Sequence, residues 1–211
     1  MAQHRYLIAG AKGGQGTTTI ASVVAALAAG HQPTTLVATR PGDVYALTGT
    51  PIPSKLSSLT SIYPNLHLTG ACQHGISATF DPSSDASGIV VGDLGRLSEI
   101  DEDDQGDADA DTTRWLVVRG PCYLSLRAAL EDPWRPDGIV VLAEAGRPLV
   151  AADVTDVLGV PVVAQVPVDP AVARIIDAGL LLDRLHRLSA FSRIARLVQA
   201  QLRPETASVA L

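Results

Sequence analysis

Apolar residues in this chain come in short continuous runs rather than in strict alternation. RYLIA (5–9), TTLVAT (34–39), NLHLT (65–69), GIVVGD (88–93), RWLVVR (114–119), GIVVLAE (138–144) and PVVAQV (161–166) each have the length of a strand. Runs of this kind mark strands covered on both faces, the condition of a parallel sheet. Helix signals lie between them. From Thr17, TTTIASVVAALAAG is small and apolar all round and stops at Gly30, which predicts a helix buried against the sheet. Further helices are predicted over 121–130, 148–158 and 169–178, the last two-residue start, Asp169-Pro170, being a good cap and first turn. A final helix is predicted over 184–202. There Leu188, Phe191, Ile194, Ala195, Val198 and Leu202 recur at spacings of three and four.

Alternating strand and helix signals predict one doubly wound α/β domain over 1–203, a single mostly parallel sheet with helices on both faces, followed by a disordered tail at 204–211. The 211 residues and the 46% apolar fraction suffice for one core. The net charge of −6 is local. Glu99, Asp101, Glu102, Asp103, Asp104, Asp107, Asp109 and Asp111 crowd the stretch 97–113 without a Lys or Arg, and the rest of the chain carries +2. A globally basic nucleic-acid binder is thereby excluded, though a local basic patch is not. The acidic stretch reads as a solvated, mobile loop at the ligand edge of the sheet. There it repels nucleotide unless it points away, attracts a basic partner, or only adds solubility.

No signal peptide and no membrane span of roughly 18 to 20 apolar residues is read, so a cytoplasmic protein is expected. Cys72 and Cys122 are too few for a disulfide framework. Cys72-Gln73-His74 lacks the spacing of a zinc site.

The chemistry concentrates after the first strand, in Ala11-Lys12-Gly13-Gly14-Gln15-Gly16-Thr17-Thr18. A Gly-rich turn leading into a helix presents backbone N–H groups and the positive end of the helix dipole to phosphate. Overlaid on G-x-x-x-x-G-K-[ST], it has Ala11 at the first glycine and Thr17 at the lysine, so the general pattern fails twice. The run K-G-G-Q-G-T-T-T-I-A-S nevertheless resembles the deviant Walker A loop, KGGxGKT, of the ParA/MinD superfamily of P-loop ATPases. TLVATRPGDVYALTG is similar to the family's second strand and switch region, GIVVGDLG to its Walker B strand, and VPVDPAVARIIDAG to its late turn beside the adenine. The D-L-G and P-V-D-P-A-V-A runs resemble the CpaE/TadZ branch, linked to pilus and secretion machinery.

The resemblance implies a P-loop NTPase-like fold and a site for ATP or ADP with Mg²⁺. On the matching positions, Lys12, Gly13, Gly14, Gln15, Gly16, Thr17, Thr18 and Thr19 would hold the phosphates. Pro167, Val168 and Asp169 would flank the base, and Thr18 and Asp93 would hold the metal. Lys12 falls on the signature lysine that in the family reaches across a dimer, which implies a homodimer. It and Asp93 are the residues that would serve catalysis if the protein is active.

Three departures weaken that implication. Thr17 replaces the lysine of the β- and γ-phosphates, a charge-assisted contact worth about 1.5–3 kcal/mol, so binding should weaken tenfold or more. Ala38 and Arg40 stand where the family has aspartates after the second strand, and Asp43 is at the wrong offset to replace them. Without a water-positioning carboxylate, hydrolysis should be slow or absent. Ala143 or Glu144 occupies the place of an adenine-side Asn. The plainer alternatives are a tight turn for the glycines, a capping carboxylate for Asp93 and a solvated side chain for Lys12.

The expected function is therefore a positioning or scaffold protein with a degenerate P-loop, serving a pilus, secretion or division apparatus through a protein partner. The alternative is an active partition-type ATPase that binds DNA non-specifically as an ATP-dependent dimer. Arg174, Arg184, Arg187, Arg193, Arg196 and Arg203 would supply that contact. A carboxylate-activating enzyme ranks below both. Membrane contact through the basic amphipathic run 184–202 ranks below packing of that run on the sheet.

Overall fold

The computed structural model describes residues 4–56, 58–72, 76, 88–100, 104 and 111–202. Its strands are β1 (Arg5–Gly10), β2 (Thr34–Ala38), β3 (Thr60–Tyr63), β4 (Leu66–Gly70), β5 (Ile89–Arg96), β6 (Thr112–Arg119), β7 (Gly138–Ala143) and β8 (Val162–Pro167). They form one sheet in the order β3-β4-β2-β5-β1-β6-β7-β8. Every neighbouring pair is parallel except β3 and β4. Helices α1 (Thr17–Ala29), α2 (Pro41–Thr48), α3 (Tyr123–Glu131), α4 (Ala151–Leu158), α5 (Pro170–Asp177), α6 (Leu181–Arg184) and α7 (Ser192–Leu202) connect and cover it.

Successive strand side chains point to opposite faces, and both faces are filled. On one face Tyr6, Ile8, Leu36, Val91, Val117 and Val140 meet Ile20, Val23 and Val24 of α1, Tyr45 of α2 and Ile194 and Val198 of α7. On the other, Leu7, Ala9, Val37, Val90, Leu116 and Val141 meet Leu126 of α3, Val154 of α4 and Trp134. Burial on both sides is why the strands read as unbroken apolar runs.

Some boundaries differ from the sequence reading. The helix expected over 184–202 is broken: α6, two short 3₁₀ turns (Leu185–Arg187 and Ser189–Phe191) and then α7. The backbone leaves the helical region at Leu188 (φ −94, ψ 86), so that Leu181, Leu182 and Phe191 all reach the same core. The apolar stripe that would have faced a membrane is spent on that core, with Phe191, Ile194 and Val198 buried. Polar bonds fasten the same helix: the Tyr6 hydroxyl donates to Gln201 Oε1 at 2.7 Å, and Gln201 Nε2 donates to Thr113 Oγ1 at 3.1 Å. Two elements carried no signal strong enough to read. One is α2, started by Pro41 and closed by Gly49 in the left-handed region. The other is the short antiparallel edge strand β3.

The acidic stretch is not wholly solvated. Leu97 is buried, and Glu99 is held in a 3₁₀ turn (Leu97–Glu99). Asp104 is buried and accepts a hydrogen bond from the Ile76 backbone N–H at 2.8 Å. A buried carboxylate needs such a donor. Residues 101–103 and 105–110, the tail 204–211, Arg203, Gln73 and His74 lie outside the described residues.

Candidate functional site

Chain reversal places the site. After β1 the chain turns into α1 and crosses to β2 on one side. After β5 it returns past β1 to β6 on the other. A ligand crevice in a doubly wound sheet opens beyond the carboxyl ends of the strands at such a reversal. Here it is a cavity of about 220 Å³ lined by residues 12–19 of the loop, by Thr39, Arg40 and Asp43 after β2, and by Asp93, Gly95, Arg96 and Glu99.

The loop is pinned from beneath. Ala11 N–H donates to Val117 O at 3.1 Å, and Gln15 Oε1 accepts from Arg119 N–H at 2.6 Å. Gln15 is buried, so its side chain anchors the loop to β6, and only its backbone is left to serve a ligand. Gly16 is the N-cap of α1 with φ 83, and no side chain caps the helix end. Glycine takes that left-handed conformation without the steric cost other residues meet. The first-turn N–H groups are thus free of side-chain caps, as a phosphate cradle requires. Thr17, at the lysine position, is buried, and its hydroxyl is packed so close to Gly10 that a Cβ there would collide with it.

Asp93 is buried near the carboxyl end of β5. Burial pushes its carboxyl above the ordinary carboxylate range. A hydrogen bond from the Thr18 side chain and one from Gly95 N–H (3.2 Å) oppose that rise; Asp43 adds to it and Arg40 subtracts from it. Thr39 N–H and hydroxyl both donate to Asp93 O, at 3.1 and 3.2 Å, which joins the ends of β2 and β5. Thr18 and Asp93 are therefore in contact, and a buried carboxylate beside a hydroxyl is a donor set suited to a hard divalent cation. Among the described residues, no group of three or more His, Cys, Asp or Glu is placed to hold a metal ion by itself. A magnesium ion here would complete its octahedral shell with water or phosphate oxygens.

Sequence reasoning did not single out Arg96, and it read Glu99 only as part of the acidic stretch at the ligand edge. Gly95 (φ 72) lies where the pairing of β5 with β1 shifts register, Arg96 ends the strand and Glu99 follows in the 3₁₀ turn, and both side chains line the cavity. Glu99 Oε1 receives Arg40 Nη2 at 2.9 Å and Arg96 Nη2 at 3.0 Å.

A second cavity of about 130 Å³ adjoins the first, sharing Gly16 and Thr19. Pro167, Val168 and Asp169 line it, with Arg119, Leu142, Val172 and Phe191. Its walls are mostly apolar, as a base would require. The Asp169 carboxylate is used in capping α5, accepting from Ala171 N–H at 2.7 Å. Neither Ala143 nor Glu144 lines it, and Glu144 is instead clamped between Arg119 (2.8 Å) and Arg147 (2.5 Å).

Lys12 lies at the mouth of the first cavity and donates to Cys122 Sγ at 3.6 Å. Cys122 precedes α3, and the Ser125 hydroxyl lies 3.5 Å from its sulfur. Hydrogen bonding to Ser125 first, and then the Lys12 charge, lower the thiol pKa to about 7. The proposed DNA cations Arg174, Arg184, Arg187, Arg193 and Arg196 are spread over α5, α6, the 3₁₀ turn after it and α7; Arg193 Nε donates to Val163 O at 3.1 Å.

No protein-family model and no curated protein matches the sequence. Solved structures do match its fold. The MinC:MinD cell division protein complex of Aquifex aeolicus superposes with a TM-score of 0.73 at 20% identity, over 95% of this chain and 97% of that one. A ParA family ATPase from Chlorobium tepidum TLS gives 0.65 at 17% identity, over 96% and 98%. The septum site-determining protein MinD of Pyrococcus horikoshii OT3, complexed with Mg-ADP, gives 0.67 at 16% identity, over 97% and 100%. Across nearly its whole length, then, the chain has the fold of the ParA and MinD ATPases: a mostly parallel eight-stranded sheet between layers of helices, with its glycine loop at the carboxyl edge.

Proposed function

We propose that this chain is a ParA/MinD-like positioning or scaffold protein that binds ATP or ADP with Mg²⁺ and hydrolyses ATP weakly or not at all. The observation that carries the reading is the contrast within one cavity. The loop, Thr18 and Asp93 line it together, a set that suits phosphate and magnesium, while Thr17 and Arg40 stand at the positions where the resemblance leads one to expect a lysine and an aspartate. A bound Mg²⁺ would neutralise phosphate charge. For its part the chain holds Asp93 in a dry position beside Thr18, presents the uncapped end of α1, and offers an apolar slot at Pro167, Val168 and Asp169 for the base. Neither Ala38 nor Arg40 supplies a carboxylate at the end of β2; the acid that lines the cavity from that side is Asp43, set back in the first turn of α2. Positioning and charge carry phosphoryl transfer, so their loss leaves binding without efficient turnover.

A homodimer is part of the same reading. Tyr123 and Leu124 are exposed (72% and 67%) next to Cys122, the contact of Lys12, and offer an apolar surface beside the site. The protein partner belongs to an apparatus of pilus, secretion or division type, with CpaE/TadZ-like character. The test is turnover by purified protein with MgATP, alongside its mass in solution. Phosphate release at background with a nucleotide-dependent dimer is expected. Turnover that Asp93→Asn abolishes would overturn the reading in favour of an active ATPase, and ATP-dependent, salt-sensitive DNA retention would point to the partition type.

A further inference from the structure

The rim of the first cavity holds a three-membered charge cluster that the reading above does not use. Arg40 stands at the start of α2 and Arg96 at the end of β5, and Glu99 is shared between them. Arg40 Nη2 reaches both oxygens of Glu99, at 2.9 and 3.2 Å, and Arg96 Nη2 reaches the same Oε1 at 3.0 Å. Two guanidiniums converge on one carboxylate, so the cluster has one unbalanced positive charge. That is an arrangement an anionic oxygen group can enter, because guanidinium binds phosphate by paired N–H bonds as it binds carboxylate.

Position along the site says which phosphate. The apolar cavity at Pro167, Val168 and Asp169 meets the first cavity at Gly16 and Thr19. Arg40, Arg96 and Glu99 line only the first, on the side of Asp93 and away from that junction. A nucleotide with its base in the apolar cavity would run past Gly16 and Thr19, and its last phosphate would come towards the arginines.

Resting on the nucleotide-binding reading, we propose that Arg40 and Arg96 form the site for the terminal phosphate of a nucleoside triphosphate, and that Glu99 is an exchangeable placeholder for it. The pair does the work of the missing cation at Thr17 from the opposite wall. The exchange is inexpensive because the cluster is open to water. The side chains of Arg40, Arg96 and Glu99 are 62%, 49% and 32% exposed, and exposed ion pairs hold their partners only weakly. With Glu99 in place the formal charges lining the cavity balance: Lys12, Arg40 and Arg96 against Asp43, Asp93 and Glu99. Displacing Glu99 makes the cavity cationic at the moment a third phosphate arrives. A diphosphate does not reach the pair and leaves Glu99 bound. The site thus discriminates triphosphate from diphosphate, and the discrimination passes to the turn that carries Leu97 and Glu99.

Calorimetric titration of the full-length protein with magnesium adenylyl imidodiphosphate and, separately, with MgADP tests this. Wild type should prefer the triphosphate analogue. Arg40→Gln and Arg96→Gln should each lose about tenfold in affinity for the analogue, the size of a charge-assisted bond, and change less than about twofold for MgADP. Glu99→Gln should gain up to about fivefold for the analogue alone, since it removes the competing anion at an exposed site. Thermal midpoints within a few degrees of wild type would show the variants folded, as expected for exposed side chains. If MgADP binds while the arginine variants weaken both ligands equally, or spare both, or if Glu99→Gln changes nothing, this proposal falls and nucleotide binding stands. If neither ligand binds wild type or Glu99→Gln, both fall.

Discussion

The two walls of the first cavity are built differently. The inner wall, residues 12–19 with Asp93, is tied into the sheet: Ala11 bonds to β6, Gln15 to Arg119, and Asp93 is buried between Thr18 and Gly95. The outer wall, Arg40, Arg96 and Glu99, is an exposed charge cluster on the start of α2 and the turn after β5. A wall continuous with the core resists change because altering it costs stability. Exposed side chains change at little cost. Set against the loop pattern that the chain resembles, the matching residues are on the inner wall, and the charged residues that differ from it are on the outer one. The exception is Thr17, an inner-wall residue that replaces the expected lysine and is buried.

That exception gives the largest expected effect. Thr17→Lys restores a charge-assisted phosphate contact worth about 1.5–3 kcal/mol, so MgATP affinity should rise about tenfold to a hundredfold. Titration of the variant beside wild type checks this. Equal affinity would mean that the inner wall is not a phosphate site.

Gly16→Ala comes next. At φ 83 an alanine carries about 1–2 kcal/mol of backbone strain, and its Cβ would lie 2.7 Å from Leu142 Cδ1. Nucleotide affinity should fall about tenfold, and denaturant melts should register the strain as lost stability. Exposed outer-wall substitutions should leave those melts within about 0.5 kcal/mol of wild type.

Asp93→Asn separates the cost of a buried charge from its use. The folded-state pKa of Asp93 is raised by burial, so the native protein holds this proton more tightly than the unfolded chain. Stability from this group falls as pH rises from the ordinary carboxylate value to the raised one, and stays lowered above it. Asp93→Asn should therefore raise the thermal midpoint of the nucleotide-free protein at neutral pH and remove that decline, while making nucleotide affinity indifferent to Mg²⁺. A lower midpoint at neutral pH would contradict the burial argument.

The smallest effect lies at the mouth. Alkylation of Cys122 should show a midpoint near pH 7. Ser125→Ala should move it upward more than Lys12→Ala does, because the hydroxyl is the larger influence. The reverse order, measured by rate against pH, would make Lys12 the dominant partner of the thiolate.

The parallel strands, α1 and the inner wall were legible in the sequence because each depends on neighbours in the chain. Unbroken apolar runs reported the strands, and Lys12 to Thr18 lie together before any folding. The outer wall was not legible in the same way. Arg96 and Glu99 come to the cavity at the end of β5 and in the turn after it, where they meet a residue 56 and 59 positions earlier in the chain, and Arg40 read as a missing aspartate rather than as a cation with a partner. Arg119 reaches Gln15 across 104 positions of sequence, through the pairing of β1 and β6. For the acidic stretch, composition reports solvation only on average. Asp104 departs from that average: it is buried and accepts a hydrogen bond from Ile76, 28 positions earlier. The run 184–202 showed the right period for a helix but not its interruption at Leu188, which depends on where Leu181, Leu182 and Phe191 find the core.

The central claim is that an intact inner wall binds nucleotide in a chain that does not turn it over. Calorimetric titration of the purified protein with MgATP, with phosphate release followed in the same sample, tests it most directly. The account predicts saturable binding that weakens about tenfold in Lys12→Ala, with release at the rate of the protein-free control. No binding heat at any accessible concentration, or release that rises with protein and vanishes in Asp93→Asn, would contradict it.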